Sequence, residues 1–149
     1  MSGRLSHVDE EGRVRMVNVG GKPLARRRAT ARAIVRVSRG TAARLRELPK
    51  GDALATAELA GVMAAKRTSD LIPLCHPLPL SHVDVRAHVS SEAVEITASV
   101  ETVAQTGVEM EALVAASVAS LTVYDMAKAV DDAMVVERVE LVEKTKEPL

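Results

Sequence analysis

Apolar and polar residues alternate over three stretches of the chain, which is the period of a half-buried β-strand. The stretches cover 29–37, 83–89 and 94–101. A short polar turn at 90–92 separates the last two, so we expect them to form an antiparallel hairpin with one wet face. A final strand is predicted near 134–142.

Two helices are predicted between the first strand and the hairpin. The first is short, covers 41–48 and stops at the proline that follows. A turn comes next, and Asp52 can cap the second helix, which is expected to run to about residue 67. Residues 1–24 show little periodicity and contain several glycines, so they are predicted to form an irregular arm.

The last long helix is predicted from a polar pattern that precedes an apolar run. Thr106 and Glu109 stand three residues apart, as do the two partners of a capping box. This spacing predicts a helix that begins near residue 107 and continues to about residue 130.

The predicted element order is β-α-β-β-α-β, with a small additional helix after the first strand. This order is typical of the ferredoxin-like or split βαβ fold, an α+β architecture. Its antiparallel four-stranded sheet carries the helices on one face. The length of 149 residues fits one domain covering the whole chain. Because this fold hosts enzymes, RNA binders and regulatory modules alike, it fixes no function.

Composition narrows the possible functions. The chain has one Tyr and neither Phe nor Trp, which argues against RNA readers that stack bases on aromatic side chains. The net charge is zero, yet residues 12–46 hold 11 Arg or Lys and no acid, while the chain after residue 124 is acid-rich. Either these segments complement each other in an oligomer, or the basic one binds an anionic ligand.

The chain is expected to be cytoplasmic. It has a single cysteine, which excludes an internal disulfide and fits a reducing compartment. No apolar signal region is visible at the N-terminus. The longest uncharged helical run, 112–124, has 13 residues. A membrane span needs ~20, so no membrane association is expected.

Candidate chemistry is densest in the segment 64–78. Lys66 and Arg67 end a predicted helix, where they can complement its dipole or bind phosphates. A charge-free stretch with three prolines follows and holds Cys75 beside His76. Zinc needs more ligands than this pair, and neighbouring residues rarely form a nucleophile–base pair. We therefore expect no metal site, and expect His76 to bind a ligand or handle a proton.

Other candidates lie at the ends of the last helix. Asp125 and Lys128 share a helix face at i and i+3, either as a solvated ion pair or as a functional pair. Lys50 lies in a turn, where most lysines are solvated. Glu109 and Glu111 fall in the first helical turn, two residues apart, so at most one of them is expected to face a given ligand.

Three segments carry a specific resemblance to a known family. They read K-R-T-x-D-L-I-P-L-C-H-P-L from Lys66, G-V-E-M-E-A-L from Gly107 and Y-D-M-x-K-A from Tyr124. With the segment S-H-V-D at the start, they make the chain similar to the molybdenum cofactor biosynthesis protein C family over essentially its whole length. Asn18 stands where that family usually has Asp, and Ala25 where it often has Thr.

The resemblance implies a lyase, the cyclic pyranopterin monophosphate synthase of molybdenum cofactor (molybdopterin) biosynthesis. Its substrate is 3′,8-cyclo-7,8-dihydroguanosine 5′-triphosphate, and it releases pyrophosphate. The resemblance further implies a homohexamer, a trimer of dimers, with active sites at dimer interfaces. The reaction has no net redox change, so no cofactor is expected. No phosphate-binding glycine loop is present, and side-chain cations would have to hold the triphosphate.

The resemblance also implies roles for individual residues. Its catalytic positions match Asp125, Lys128 and Lys50. Its substrate-binding segments match Leu74, Cys75, His76, Met110 and Glu111. Further positions associated with the site are Glu109, Lys66, Arg67, Lys22 and Arg27, the last because it keeps the R-x-A-x-A spacing.

Two other functions stay open on the residues alone. A non-catalytic nucleotide-binding regulatory module would explain the basic segment, but it would give no role to Asp125 and Lys128. An RNA-binding domain of this fold would be expected to carry aromatic residues on its sheet and a positive net charge, and this chain has neither. No nucleic-acid partner is therefore expected.

Overall fold

The computed structural model describes residues 3–149. Its elements are β1 Ala25–Arg36, α1 Arg39–Ala42, α2 Ala53–Lys66, α3 Thr68–Leu71, β2 Leu80–Val89, β3 Ala93–Ala104, α4 Glu109–Ala127 and β4 Val135–Pro148. The strands form one antiparallel sheet in the order β2-β3-β1-β4. The long helices α2 and α4 pack on each other and against this sheet. The ferredoxin-like α+β fold expected from the sequence is confirmed.

The inward face of the sheet is built from small and β-branched side chains. In the β1–β3 pair, Ala31 lies opposite Ala98 and Ala33 lies opposite Ile96. All four are fully buried, whereas the residues between them on the strands are only partly buried or exposed. The predicted alternation is therefore confirmed, and the hairpin has the expected wet face.

Small residues also line the contact between the two long helices. α2 buries Ala57 and Gly61 four residues apart, and α4 buries Ala115 and Ala119 with the same spacing. A Cβ atom added to Gly61 would lie 2.9 Å from a methyl carbon of Val85 and 3.1 Å from the Ala115 carbonyl oxygen. The close approach of α2 to α4 and β2 therefore requires glycine at this position.

The start of α2 confirms the predicted cap. One carboxylate oxygen of Asp52 accepts hydrogen bonds from the backbone N–H groups of Leu54 and Ala55, both at 3.0 Å. The Ala55 N–H is the main cause that lowers the pKa of this carboxyl group. The cap fixes the position of the preceding turn, in which Gly51 has a φ of +112° and Lys50 stands next to it.

Other boundaries differ from the prediction. The short helix is Arg39–Ala42 instead of 41–48, because Ser38 caps it and the chain continues in turns after one helical turn. α3, which lies between α2 and the loop with three prolines, was not predicted from the sequence. It begins where the hydroxyl of Thr68 donates to two of the last carbonyls of α2. The strands are longer than predicted because the residues beyond the predicted ends still pair, with β4 reaching Pro148.

The capping-box prediction is wrong. α4 begins at Glu109 after Val108, and no side-chain hydrogen bond caps its start among the described residues. Val108 is 1% exposed, so its burial in the core fixes the start of the helix. The helix ends at Ala127, with Lys128 as the C-cap, and does not reach residue 130.

α4 is a core helix although it is long and apolar enough to cross a membrane by length and composition. The uncharged run 112–124 is shorter than a span, but the whole 19-residue helix passes that test. More than half of its most apolar stretch is buried against the sheet and α2. Its apolar character is therefore explained by packing.

Gly61→Ala tests the close helix contact. Alanine favours a helix over glycine by about 1 kcal/mol, but overpacking in a core typically costs about 1–3 kcal/mol. We expect the clash with Val85 and the Ala115 carbonyl to dominate, so that the midpoint of urea unfolding falls. Gly40→Ala is the matched control, because a Cβ at Gly40 meets no atom within 4 Å. Equal or higher stability of Gly61→Ala would contradict the assigned contact.

Candidate functional site

A cavity of about 410 Å³, which we call the loop cavity, opens where three segments meet. These segments are the N-terminal arm, the loop 72–79 between α3 and β2, and the first turn of α4. The candidate residues that line it are Leu74, Cys75, His76, Met110, Glu111, Glu109 and Lys22. The fold thus brings together residues from the first, middle and last thirds of the chain.

The loop 72–79 is fixed at both ends. Near its start, the backbone N–H of Cys75 donates to the Ile72 carbonyl at 3.1 Å, which closes a turn. At its end, the hydroxyl of Thr102 on β3 donates to the Pro79 carbonyl at 2.8 Å. Its three prolines restrict the backbone further. Cys75 and His76 are therefore presented to the cavity in a defined position.

His76 ties the arm to this loop. Its Nε2 atom lies 2.7 Å from the backbone carbonyl oxygen of Val17. Because a carbonyl oxygen only accepts, Nε2 carries the proton. In the neutral imidazole the other nitrogen, Nδ1, is then an acceptor. A second contact between arm and body runs from the side chain of Gln105 to the Gly20 carbonyl, at 3.1 Å.

Glu111 is a buried carboxyl group in the wall of the cavity. It is 4% exposed, and burial raises its pKa, with a further contribution from the negative charge of Glu109. Burial and the same two carboxylates raise the pKa of the Cys75 thiol. Both Glu109 and Glu111 line the cavity, and the expectation that at most one of them faces a given ligand stays a prediction. The cavity lies over the helix end and therefore reaches both side chains.

A second group of candidates, which we call the acid–base cluster, comprises Asp125, Lys50 and Lys128. Lys128 Nζ lies 3.0 Å from one oxygen of the Asp125 carboxylate, and Lys50 Nζ lies 3.3 Å from the other. Lys50 also donates to the backbone carbonyl of Asp125 at 3.1 Å. The pKa of Asp125 is lowered by Lys128 first and by Lys50 second. The carboxylate is thus held ionised between two ammonium groups.

The cluster and the loop cavity lie at opposite ends of α4. Glu111 stands in the first turn of the helix and Asp125 in its last turn. At a rise of 1.5 Å per residue, their positions are about 21 Å apart along the helix axis. Within one chain, the loop cavity and the acid–base cluster are therefore two separate sites.

The remaining candidates, Lys66, Arg67 and Arg27, do not line the loop cavity. Lys66 lines a neighbouring cavity of about 450 Å³ between α2 and β2, which shares Leu78 with the first. Arg67 is exposed at the C-cap of α2. Arg27, on β1, donates to the Gln105 carbonyl at 3.4 Å and lines a third cavity together with Glu109.

A profile of the MoaC family matches residues 16–147, which is most of the chain. The chain belongs to the MoaC family. The resemblance read from the three sequence segments is thereby confirmed.

Individual relatives in the MoaC family are similar over nearly the full length. One from Herpetosiphon aurantiacus is 57% identical over 95% of this chain and 88% of its own length. Another, from a Roseiflexus species, is 56% identical over 95% of this chain and 92% of its own. A third, from Streptomyces coelicolor, is 56% identical over 95% of this chain and 85% of its own length. Each is named cyclic pyranopterin monophosphate synthase.

The arm supplies cavity residues that the sequence reasoning missed. Ser6, His7, Val17 and Val19 line the loop cavity, although residues 1–24 were predicted only as an irregular arm. Periodicity carries no signal here, because no helix or long strand forms in the arm. The segment S-H-V-D, where the resemblance to the MoaC family begins, was the signal that could have identified them.

Glu111→Gln tests the burial of this carboxyl group. Its pKa is raised in the folded state, so burying the ionised form costs stability as the pH rises above the ordinary value of 4.5. We expect the variant to melt about 2–4 °C above the parent near pH 8, for a gain of about 1 kcal/mol. The gain should shrink as the pH falls towards 4.5. Glu47→Gln, at an exposed position, is the control; a gain independent of pH would contradict the assignment.

Proposed function

We propose that this chain is a cyclic pyranopterin monophosphate synthase. It converts 3′,8-cyclo-7,8-dihydroguanosine 5′-triphosphate to cyclic pyranopterin monophosphate and releases pyrophosphate. The observation that carries the proposal is the acid–base cluster, in which Asp125 lies within ion-pair distance of both Lys50 and Lys128. It occurs in a MoaC-family chain whose relatives bear that name.

The loop cavity is assigned to binding of the nucleotide-derived ring. Its volume lies in the range of pockets for small organic ligands. A guanine-derived ring presents N–H donors, and the buried carboxylate of Glu111 is an acceptor that is costly to leave without them. His76 and the backbone around Leu74 and Cys75 supply further polar groups, and Met110 supplies an apolar wall. These residues bind and orient the ring.

The acid–base cluster is assigned to proton transfer. The reaction rearranges the purine ring to a pterin, closes a cyclic phosphate and breaks a phosphate bond, so several protons move. Asp125 is ionised at neutral pH and can accept a proton, and the two ammonium groups beside it can donate one. Each such transfer contributes about 10²–10⁴-fold to the rate. Positive charge from Lys50, Lys128, Lys66 and Arg67 also stabilises the departing pyrophosphate.

A complete site is proposed to form between two copies of the chain. Proton transfer needs contact at about 2.6–3.2 Å, and an atom near Glu111 is too far from Asp125 of the same chain. The side chains of the cluster are also 46–59% exposed, whereas transfer is favoured where water is excluded. Leu121 and Tyr124 are exposed beside Asp125 on α4 and offer an apolar contact for a partner. We propose a homohexamer, a trimer of dimers, located in the cytoplasm.

Asp125→Asn is expected to abolish pyrophosphate release, because the amide cannot accept the proton. Lys128→Ala should also lower turnover by about 10²-fold or more, since it removes the donor 3.0 Å from Asp125. The measurement is pyrophosphate release from the cyclised nucleotide by the full-length protein. Asp132→Asn is the matched control at a nearby exposed acid. Wild-type turnover in Asp125→Asn would overturn the assignment, and a wild-type protein that binds the nucleotide without releasing pyrophosphate would favour the regulatory module.

Mixing two inactive variants tests whether one site draws on two chains. His76→Ala alone is expected to lower kcat/KM strongly, because it removes both a hydrogen-bond acceptor of the cavity and the contact with the arm. After co-refolding of Asp125→Asn with His76→Ala in equal amounts, half of the dimers are mixed, and each mixed dimer holds one intact site of two. Activity should then return to about a quarter of the wild-type value. Activity no higher than that of either variant would place each site within a single chain.

A further inference from the structure

Residues 7–15 of the arm form a small hairpin held by several hydrogen bonds. The backbone N–H of Arg15 donates to the His7 carbonyl at 2.8 Å, and that of Asp9 donates to the Arg13 carbonyl at 2.9 Å. The Asp9 carboxylate accepts from the Arg13 N–H at 2.8 Å, and Gly12 takes a φ of +80° in the turn. These bonds hold the backbone of His7 in a defined position.

The hairpin is fastened to the body of the protein beside the loop cavity. Val17 and Gly20, which follow it in the chain, offer their carbonyl oxygens to the side chains of His76 and Gln105. With both bonds in place, Ser6 and His7 line the cavity. The arm is therefore bonded to the body of the protein and forms one wall of the cavity.

One ring nitrogen of His7 is engaged, and within residues 3–149 the other makes no hydrogen bond. Its Nδ1 atom lies 2.9 Å from the hydroxyl oxygen of Ser6. When that hydroxyl donates to Nδ1, the tautomer carries its proton on Nε2. A neighbouring serine can thus prepare the ring to donate through Nε2 to a ligand.

The polar side chains of the cavity are divided between its walls. The first turn of α4 contributes two carboxyl groups, Glu109 and Glu111, and the arm contributes Lys22 and His7. A nucleotide carries ring N–H donors as well as ribose and phosphate oxygens. The acidic wall suits the former and the arm suits the latter.

We propose that His7 is a substrate-contacting residue, whose Nε2–H donates to an oxygen of the nucleotide-derived substrate and which the hairpin presents to the loop cavity. This inference rests on the proposed function, because it names a further contact of the same substrate.

Steady-state pyrophosphate release tests the contact in the full-length protein. His7→Ala should raise KM by about tenfold or more, with a smaller effect on kcat, because a hydrogen bond to a charged group is lost. His7→Gln keeps an N–H donor and should recover much of the lost affinity. His88→Ala, at an exposed position on β2, is the matched control and should behave as wild type. Thermal melting should be unchanged in all three, since His7 is exposed on the arm.

The role of the hairpin is tested by Asp9→Ala, which removes the carboxylate from the turn without touching the cavity. Like His7→Ala, Asp9→Ala should raise KM. If Asp9 acts only by presenting His7, the double variant will be no worse than His7→Ala alone. KM values for His7→Ala within about twofold of wild type would overturn the contact. Additive effects of the two changes would overturn presentation by the hairpin. If the proposed function itself is wrong, the wild-type protein will release no pyrophosphate. That result is distinct from the variant outcomes above, and the inference about His7 would fall with the proposed function.

Discussion

α4 is a buried helix whose ionisable groups lie only near its two ends. Between Glu111 and Asp125 every residue is uncharged, and most of them pack against the sheet or α2. A straight helix of this kind acts as a spacer of about 21 Å between the groups at its ends. The carboxyl groups in the loop cavity and the carboxylate of the acid–base cluster are consequently kept apart in each chain. Because the two groups are this far apart in one chain, a site that uses both is proposed to lie between two copies.

The position of α4 depends in turn on side chains that are unusually small. Alanines on both long helices, together with Gly61, let the backbones approach until a single added methyl group would clash. This contact orients α2 relative to α4, and the cap by Asp52 fixes the turn that precedes α2. Lys50 lies in that turn and thereby meets Asp125, 75 residues further along the chain. A packing constraint with no chemistry of its own thus determines the geometry of the acid–base cluster.

The features that follow a local period could be predicted from the sequence. Alternation identified the buried face of β1, and the helical spacing placed Asp125 beside Lys128. Features that depend on tertiary contacts could not be predicted this way. Thr106 and Glu109 matched a capping box, but the burial of Val108 decided where α4 begins. The contact between Lys50 and Asp125 likewise has no local signature, and only the resemblance pointed to it.

The arm shows the same limit at the candidate site. Its residues have no helical or strand period, because their positions are set by a few specific bonds, of which the one from His76 to the Val17 carbonyl is the shortest to the body. That bond gives His76 two tasks, since it fixes the tautomer of the ring and closes one wall of the cavity.

The loop cavity also affects the protonation of Glu111, which lies in its wall. A carboxyl group whose pKa is raised by burial gains its charge more readily when a ligand supplies N–H donors. Binding of a ring with such donors and loss of the Glu111 proton therefore favour each other. A ligand without N–H groups would leave Glu111 protonated or its charge unpaired, so the buried carboxyl group favours ligands that carry such donors.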